Sequence, residues 1–390
     1  MEINDLNQQI QEMGLIPRVI EKAIKIQQIP APTFAEQERG AFVQDGFMKE
    51  GLADVNTDEY GNVYGRLPGN GSSPPIVISA HLDTVFPSYT DLTIRQEAGR
   101  IYGPGIGDNS FGVASLFGLI WFFRKYLHTG SGKRHKEEFP GDIWFVANVG
   151  EEGLGDLFGM RALVKRFGKD VLVYLAIEGM ALGYIYHRAL GVHRYRVTVR
   201  TKGGHSWADF GRPSAIHTIA DLIASMIRLE IPAEPRSSMN IGVIGGGTSV
   251  NTIASEAHFE LDLRSENADV LYKLNEDVDE LVAKFSTREV KIITEPIGNR
   301  PAGEISADHP IIQLSQKVLE GIGIHPRLMI GSTDVNIPLS LGIPALCVGV
   351  TSGGNAHTVE EYINTEPILK GSIQLILLVE NLFKIRIKNR

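Results

Sequence analysis

Four short apolar runs, at 76–80, 143–149, 171–177 and 345–350, have the nearly continuous hydrophobic character of strands buried on both faces. Between them apolar residues recur at helical spacing, most clearly over 110–126 and 157–167. Strands alternating with helices predict an α/β fold with a mainly parallel sheet flanked by helices. The longest nearly unbroken apolar stretch, 112–123, stops at Arg124 and Lys125. It falls short of a bilayer span and reads as a buried helix. The polar stretch 128–141, with Gly, Pro and mixed charge, reads as an exposed loop.

The middle of the chain changes period. Residues 192–200 alternate, 214–229 place Ile216, Ile219, Ile223 and Ile227 at helical spacing, and 239–244 reads as a strand. Residues 256–264 alternate strictly, with Ala257, Phe259, Leu261 and Leu263 on one face. Val270, Leu274, Val278 and Leu281 then mark a second helix, and 290–293 a last strand. The order β-α-β-β-α-β is that of a ferredoxin-like module with two helices on one sheet face. The expected organisation is an inserted ferredoxin-like α+β domain at 189–301 within a discontinuous α/β domain of 1–188 and 302–390.

Composition narrows the class. At about 150 residues per domain, a chain of 390 suits two or three domains, or one large α/β unit with an insertion. Hydrophobic residues at 43% and charged residues at 22% exclude wholesale disorder and a disulfide-stapled mini-protein. Asp plus Glu outnumber Lys plus Arg by 46 to 38, a net charge of −8, so no broad cationic field exists to hold nucleic acid. A single cysteine, Cys347, excludes an internal disulfide and suits a reducing compartment. The first residues lack a signal-peptide apolar core. A cytoplasmic protein without a membrane partner is expected.

Ligands of open α/β sheets gather beyond the carboxyl ends of the strands. The run 76–80 leads into His81-Leu82-Asp83, 143–149 into Gly150-Glu151-Glu152-Gly153, and 171–177 into Glu178. The run 345–350 leads through a Gly-rich loop to His357, and Asp108 follows Gly103, Gly105 and Gly107 just before a helix. Each of these alone reads blandly, as a solvated acid pair, a loop histidine or a turn. Together they bring two imidazoles and several carboxylates to one sheet edge, where unpaired acids would repel and cations relieve them. Mixed His and carboxylate donors suit Zn²⁺, with Mn²⁺ and Co²⁺ as alternatives. Nucleophile chemistry is poorly served. Cys347 lies inside an apolar strand, and Gly204-His205-Ser206-Trp207-Ala208 ends in Ala where a nucleophile elbow needs Gly. No Walker loop or dinucleotide fingerprint is present.

The segments SAHLDTV, GPGIGDNS, VGEEG, AIEG, KGGHS and GNAHTVEEY, in that order, resemble the co-catalytic metallopeptidase and deacylase family. That family includes glutamate carboxypeptidase, peptidase T, acetylornithine deacetylase and succinyl-diaminopimelate desuccinylase. The resemblance covers nearly the whole chain and implies two divalent metal ions. His81 and Glu178 would hold one, Glu152 and His357 the other, and Asp108 would bridge them. Asp83 would accept a hydrogen bond from His81 and fix its tautomer. Glu151 would be the general base toward a two-metal-activated water. In the inserted lid, His205 would stabilise the oxyanion, and Asn251 and Arg264 resemble groups that hold substrate carbonyl or carboxylate. The resemblance further implies a homodimer through the lid, with the lid histidine completing the partner's site. Asn109 stands where many relatives carry a second acid, and no role is assigned to it. The implied activity is metal-dependent hydrolysis of an amide bond in a small peptide or N-acyl amino acid, exopeptidase and deacylase being left open. The alternative of another class is a non-catalytic metal-dependent binding protein of the same fold.

Overall fold

A computed structural model describes residues 3–128 and 138–385, so most of the loop expected at 128–141 lies outside the described residues. The chain divides into two compact units, Met1–Arg188 with Glu304–Arg390, and Ala189–Gly303.

Four parallel strands form the centre of the first unit: β1 (Ile76–His81), β2 (Ile143–Asn148), β3 (Val173–Glu178) and β4 (Ala345–Gly349). Their spatial order is β2-β1-β3-β4, and the larger sheet they belong to has nine strands. Antiparallel strands Val63–Leu67 and Tyr184–Ala189 extend it beyond β2 and β4. All residues of β1 and β4 are buried, as expected of strands covered on both faces. The mainly parallel sheet with flanking helices is the α/β class read from the sequence.

The apolar helix Phe111–His128 packs on β1, β3 and the helices Leu15–Gln27 and Ile368–Leu382, burying Phe117, Ile120 and Phe123 completely. The longer segment Ile106–Lys125, which contains the stretch expected to be a buried helix, is by length and composition alone long and apolar enough to cross a membrane. Burial makes it a core helix, since its apolar window is 94% buried inside the protein. The helices Ile3–Glu12 and Leu15–Gln27, not singled out from the sequence, bury Leu6 and Ile10, and Leu15, Val19, Ala23 and Ile26. These residues form a stripe at helical spacing.

In the second unit the strands Ser237–Gly246, Glu256–Ser265, Gly191–Arg200 and Lys291–Arg300 pair in that spatial order, all antiparallel. The helices Ala215–Met226 and Ala268–Phe285 pack on the two central strands and on each other. Alternate residues Ala257, Phe259, Leu261 and Leu263 face this core. Asn267 starts the second helix by accepting the Val270 N–H at 3.0 Å.

Gly371 shows how closely helix and sheet approach. A Cβ there would overlap the carbonyl oxygen of Val350, just past β4. Helix propensity alone would favour alanine by roughly 1 kcal/mol. The obstruction is backbone and cannot rotate aside, so Gly371→Ala is expected to destabilise by about 1–3 kcal/mol. A urea midpoint at or above that of the wild type would contradict this packing.

Candidate metal centre

Parallel pairing sets His81 opposite Asn148 and Glu178 opposite Gly349, so the chain leaves β1, β2, β3 and β4 along one edge. Residues Glu151 and Glu152 follow β2 after Gly150, whose φ of +65° and contact with the Phe158 ring leave no room for a side chain. Asp108 arrives by a different route. The backbone departs from helical geometry at Asp108 (φ −116°, ψ 89°) and Asn109 (φ −133°, ψ 36°) before the helix begins at Phe111.

These loops meet around Asp108. His81 Nε2 lies 3.1 Å from Asp108 Oδ1 and 3.7 Å from Glu178 Oε2. His357 Nε2 lies 3.1 Å from Asp108 Oδ2 and 3.1 Å from Glu152 Oε1. Asp108 therefore turns one oxygen toward each imidazole, and each imidazole has a second carboxylate of its own. The Nδ1 atom of His81 meets the main-chain oxygen of Asp83 at 3.1 Å, with the Asp83 carboxylate at 3.4 Å. A proton on Nδ1 satisfies both, and a metal ion could then take the Nε2 lone pair in place of the proton that faces Asp108 here. The Asp83 carboxylate has further work, because it accepts the N–H groups of Glu151 (3.0 Å) and Glu152 (2.9 Å) and the Thr33 hydroxyl (2.9 Å). Both glutamates are buried.

The charge balance of the site calls for cations. Burial pulls the His81 imidazolium down, but Asp108, Asp83 and Glu178 outweigh it and hold the ring's pKa well above its usual value. Asp108 and Glu152 push His357 up to about 10. Burial drives Glu178 up to about 7, while Asp108, despite its own burial, is held low by the two histidines. Histidines forced to take protons by surrounding acids mark a place where divalent ions would serve better. The donors fit that purpose. His81, Asp108 and Glu178 form one group with ligand atoms within 4.8 Å of one another, Asp108, Glu152 and His357 form a second, and His81, Glu151 and Glu152 a third. Nitrogen and carboxylate oxygen at this spacing suit Zn²⁺, Mn²⁺ or Co²⁺. Cys347 is fully buried in β4, and burial raises its thiol far above the usual range, which leaves it inert.

Two residues that the sequence reading passed over hold the Asp108 loop. Asn109 donates from Nδ2 to the Ile177 carbonyl and accepts the Gly179 N–H on Oδ1, both at 2.8 Å, so it pins Asp108 to the end of β3. Glu361, four residues beyond His357, accepts the N–H groups of Gly105, Gly107 and Asp108 at 2.7–3.1 Å. It lies within the GNAHTVEEY segment, where nothing distinguishes it from Glu360.

Three further expected site residues lie in the second unit. His205 is exposed, and its Nδ1 accepts the N–H groups of Trp207 (3.2 Å) and Ala208 (3.4 Å). The neutral ring then carries its proton on Nε2, as a donor. Asn251 is beside it, with its main-chain oxygen accepting the Ser206 N–H at 3.0 Å. Arg264 lies at the other end of the strand Glu256–Ser265, where Asp262 holds it at 2.7 Å, and within this unit it is not brought to the His205–Asn251 corner.

Imidazoles and carboxylates converging at the carboxyl edge of an α/β sheet, with a further buried glutamate alongside, form a layout suited to metal-assisted hydrolysis. The family model of peptidase family M20/M25/M40 matches residues 77–381, and the chain belongs to that family of hydrolases. A succinyl-diaminopimelate desuccinylase of Corynebacterium glutamicum is 26% identical over 353 residues, covering 87% of this chain and 90% of that protein. Among solved structures, aminopeptidase PepT of Bacillus cereus superposes with a TM-score of 0.76 at 22% identity, covering 94% of this chain and 98% of that one. The YXEP protein of Bacillus subtilis, described as a dinuclear metal binding peptidase, superposes with a TM-score of 0.68 at 16% identity, covering 95% and 99%.

The bonds of Asn109 define what an acid would do in its place. In Asn109→Asp the Gly179 N–H keeps an acceptor, but the buried Ile177 carbonyl loses its donor and faces a carboxylate. A loss of about 1–3 kcal/mol is expected in urea unfolding. An unchanged midpoint would mean that the amide does not pin the loop.

Proposed function

We propose that this hydrolase cleaves an amide bond in a small peptide or an N-acyl amino acid, with Glu151 as general base. One observation carries the reading: Asp108 faces His81 and His357 with separate oxygens, while Glu178 lies by His81, Glu152 lies by His357, and Glu151 is next to Glu152 in the chain. His81 and Glu178 would hold one divalent ion, Glu152 and His357 a second, with Asp108 shared. Such ions, when bound, polarise a carbonyl and lower the pKa of water. Zn²⁺ suits the donors best.

Glu151 then moves the proton. Its carboxylate takes one from the attacking water as the new C–O bond forms, and delivers it to the amine nitrogen as the C–N bond breaks. The Asp83 carboxylate, by holding the Glu151 and Glu152 N–H groups, keeps base and ligand in register. His205, with its donor on Nε2, stabilises the oxyanion, Asn251 beside it holds the substrate's carbonyl or carboxylate, and Arg264 would do so separately, from the other end of its strand. Among the described residues the strand Ser237–Gly246 pairs on one side only, which offers an edge for a homodimer in which His205 serves the partner's site. A buried lone cysteine agrees with a cytoplasmic location.

A panel of dipeptides and N-acetyl and N-succinyl amino acids tests the reaction and separates peptidase from deacylase. Hydrolysis is expected to vanish after exhaustive chelation and to return with Zn²⁺, Co²⁺ or Mn²⁺. Full turnover by a chain shown to be metal-free would refute the mechanism. Glu151→Gln should keep its metal and lose about 10²–10⁴ in kcat, whereas Glu152→Gln should weaken metal binding. The reverse pattern would exchange their roles.

The dimer is tested by unfolding, mixing and refolding Glu151→Gln with His205→Ala. If His205 serves the partner, about a quarter of all sites should recover. Confirmed subunit exchange without recovery would place the histidine in its own chain's site.

A further inference from the structure

One stretch of chain that precedes the family-model match touches three of the loops that carry the candidate ligands. Residues 27–39 run from the end of the helix Leu15–Gln27 to the first turn of the helix Gln37–Lys49. The Gln27 side chain, fully buried, donates to the Pro104 carbonyl at 3.0 Å, in the loop leading to Asp108. The main-chain oxygen of Ala31 accepts the Thr84 N–H at 2.9 Å, and the Thr33 hydroxyl donates to Asp83 at 2.9 Å. The Glu36 carboxylate accepts the Gly150 N–H at 3.1 Å, directly before Glu151.

Arg39 closes the set. It is 1% exposed, and its guanidinium donates to the carbonyls of Leu82 (2.7 Å) and Ile29 (2.6 Å), with that of Gln27 at 3.5 Å. Burying a guanidinium is costly unless its donors are satisfied. Here they are spent on the backbone between His81 and Asp83 and on the stretch itself. A lysine keeps the charge but lacks the planar fork that reaches separate carbonyls.

We propose that residues 27–39 form a positioning strut for the metal centre, in which Thr33, Glu36 and Arg39 fix the spacing between the His81–Asp83 loop and the Gly150–Glu152 loop. The strut acts through Asp83, whose carboxylate takes the Thr33 hydroxyl and the Glu151 and Glu152 N–H groups together. This inference rests on the ligand assignment proposed above.

The test uses the full chain with Thr33→Val, Thr33→Ser and Arg39→Lys. Zn²⁺ affinity is measured by competition with a chromophoric chelator, beside the melting temperature of the metal-free protein and kcat and KM. Thr33→Val is nearly isosteric and removes one hydroxyl. It should lower Zn²⁺ affinity or kcat by about 10–100-fold, with KM and the metal-free melting temperature little changed. Thr33→Ser should restore both, and Arg39→Lys should impair them in the same direction. Wild-type Zn²⁺ affinity and kcat in Thr33→Val, or a serine variant as impaired as valine, would overturn the strut. Should Arg39→Lys fail to fold, the two Thr33 variants decide the question. A wild-type chain that binds Zn²⁺ yet hydrolyses nothing would overturn the proposed reaction and leave the Zn²⁺ comparison intact.

Discussion

The crowding of negative charge around Asp108 is the constraint to which the rest of the first unit answers. Three carboxylates and two imidazoles converge there, with Glu151 and Asp83 close behind. Like charges at this spacing in a poorly hydrated site repel by several kcal/mol unless protons or cations intervene. The site draws protons onto His81 and His357, and divalent ions would meet the same demand while adding Lewis acidity. Holding such a cluster together also takes scaffolding that gains nothing from the cluster itself.

That scaffolding is mostly backbone. Asp83 and Glu361 accept N–H groups from the loops they organise, and Asn109 binds one carbonyl and one N–H at the end of β3. Carboxylates whose oxygens are taken up by main-chain N–H groups fix a loop while competing less for a metal ion. The parallel strands do the coarse placement, and these polar contacts do the fine placement. His357 is the exception: it is half exposed on its loop with a φ of +64°, a conformation uncommon for residues other than glycine.

Much of the first layer was legible in the sequence. The four core strands announced themselves as apolar runs because burial on both faces removes the polar alternation. Asp108, Glu152, Glu178, His81 and His357 then stood out by following those strands or a glycine-rich turn. The strand Glu256–Ser265 was legible for the opposite reason, since a sheet covered on one face keeps a strict alternation. What stayed hidden was whatever depends on partners distant in sequence. Thr33 and Glu36 lie in a loop with no period, and their partners Asp83 and Gly150 are 50 and 114 positions away. The amide of Asn109 looked like a missing acid, because only the fold reveals the backbone groups it satisfies. Arg264 read as a candidate substrate ligand, although its pairing with Asp262 appears only once both side chains are placed.

Anomalous diffraction at the zinc edge, from crystals of the full chain grown with Zn²⁺, would locate the ions without reference to any substrate. Two maxima per chain are expected, one bounded by His81 and Glu178 and the other by Glu152 and His357, with Asp108 between them. A single maximum, or a pair of which neither touches Asp108, is incompatible with an aspartate shared between two ions.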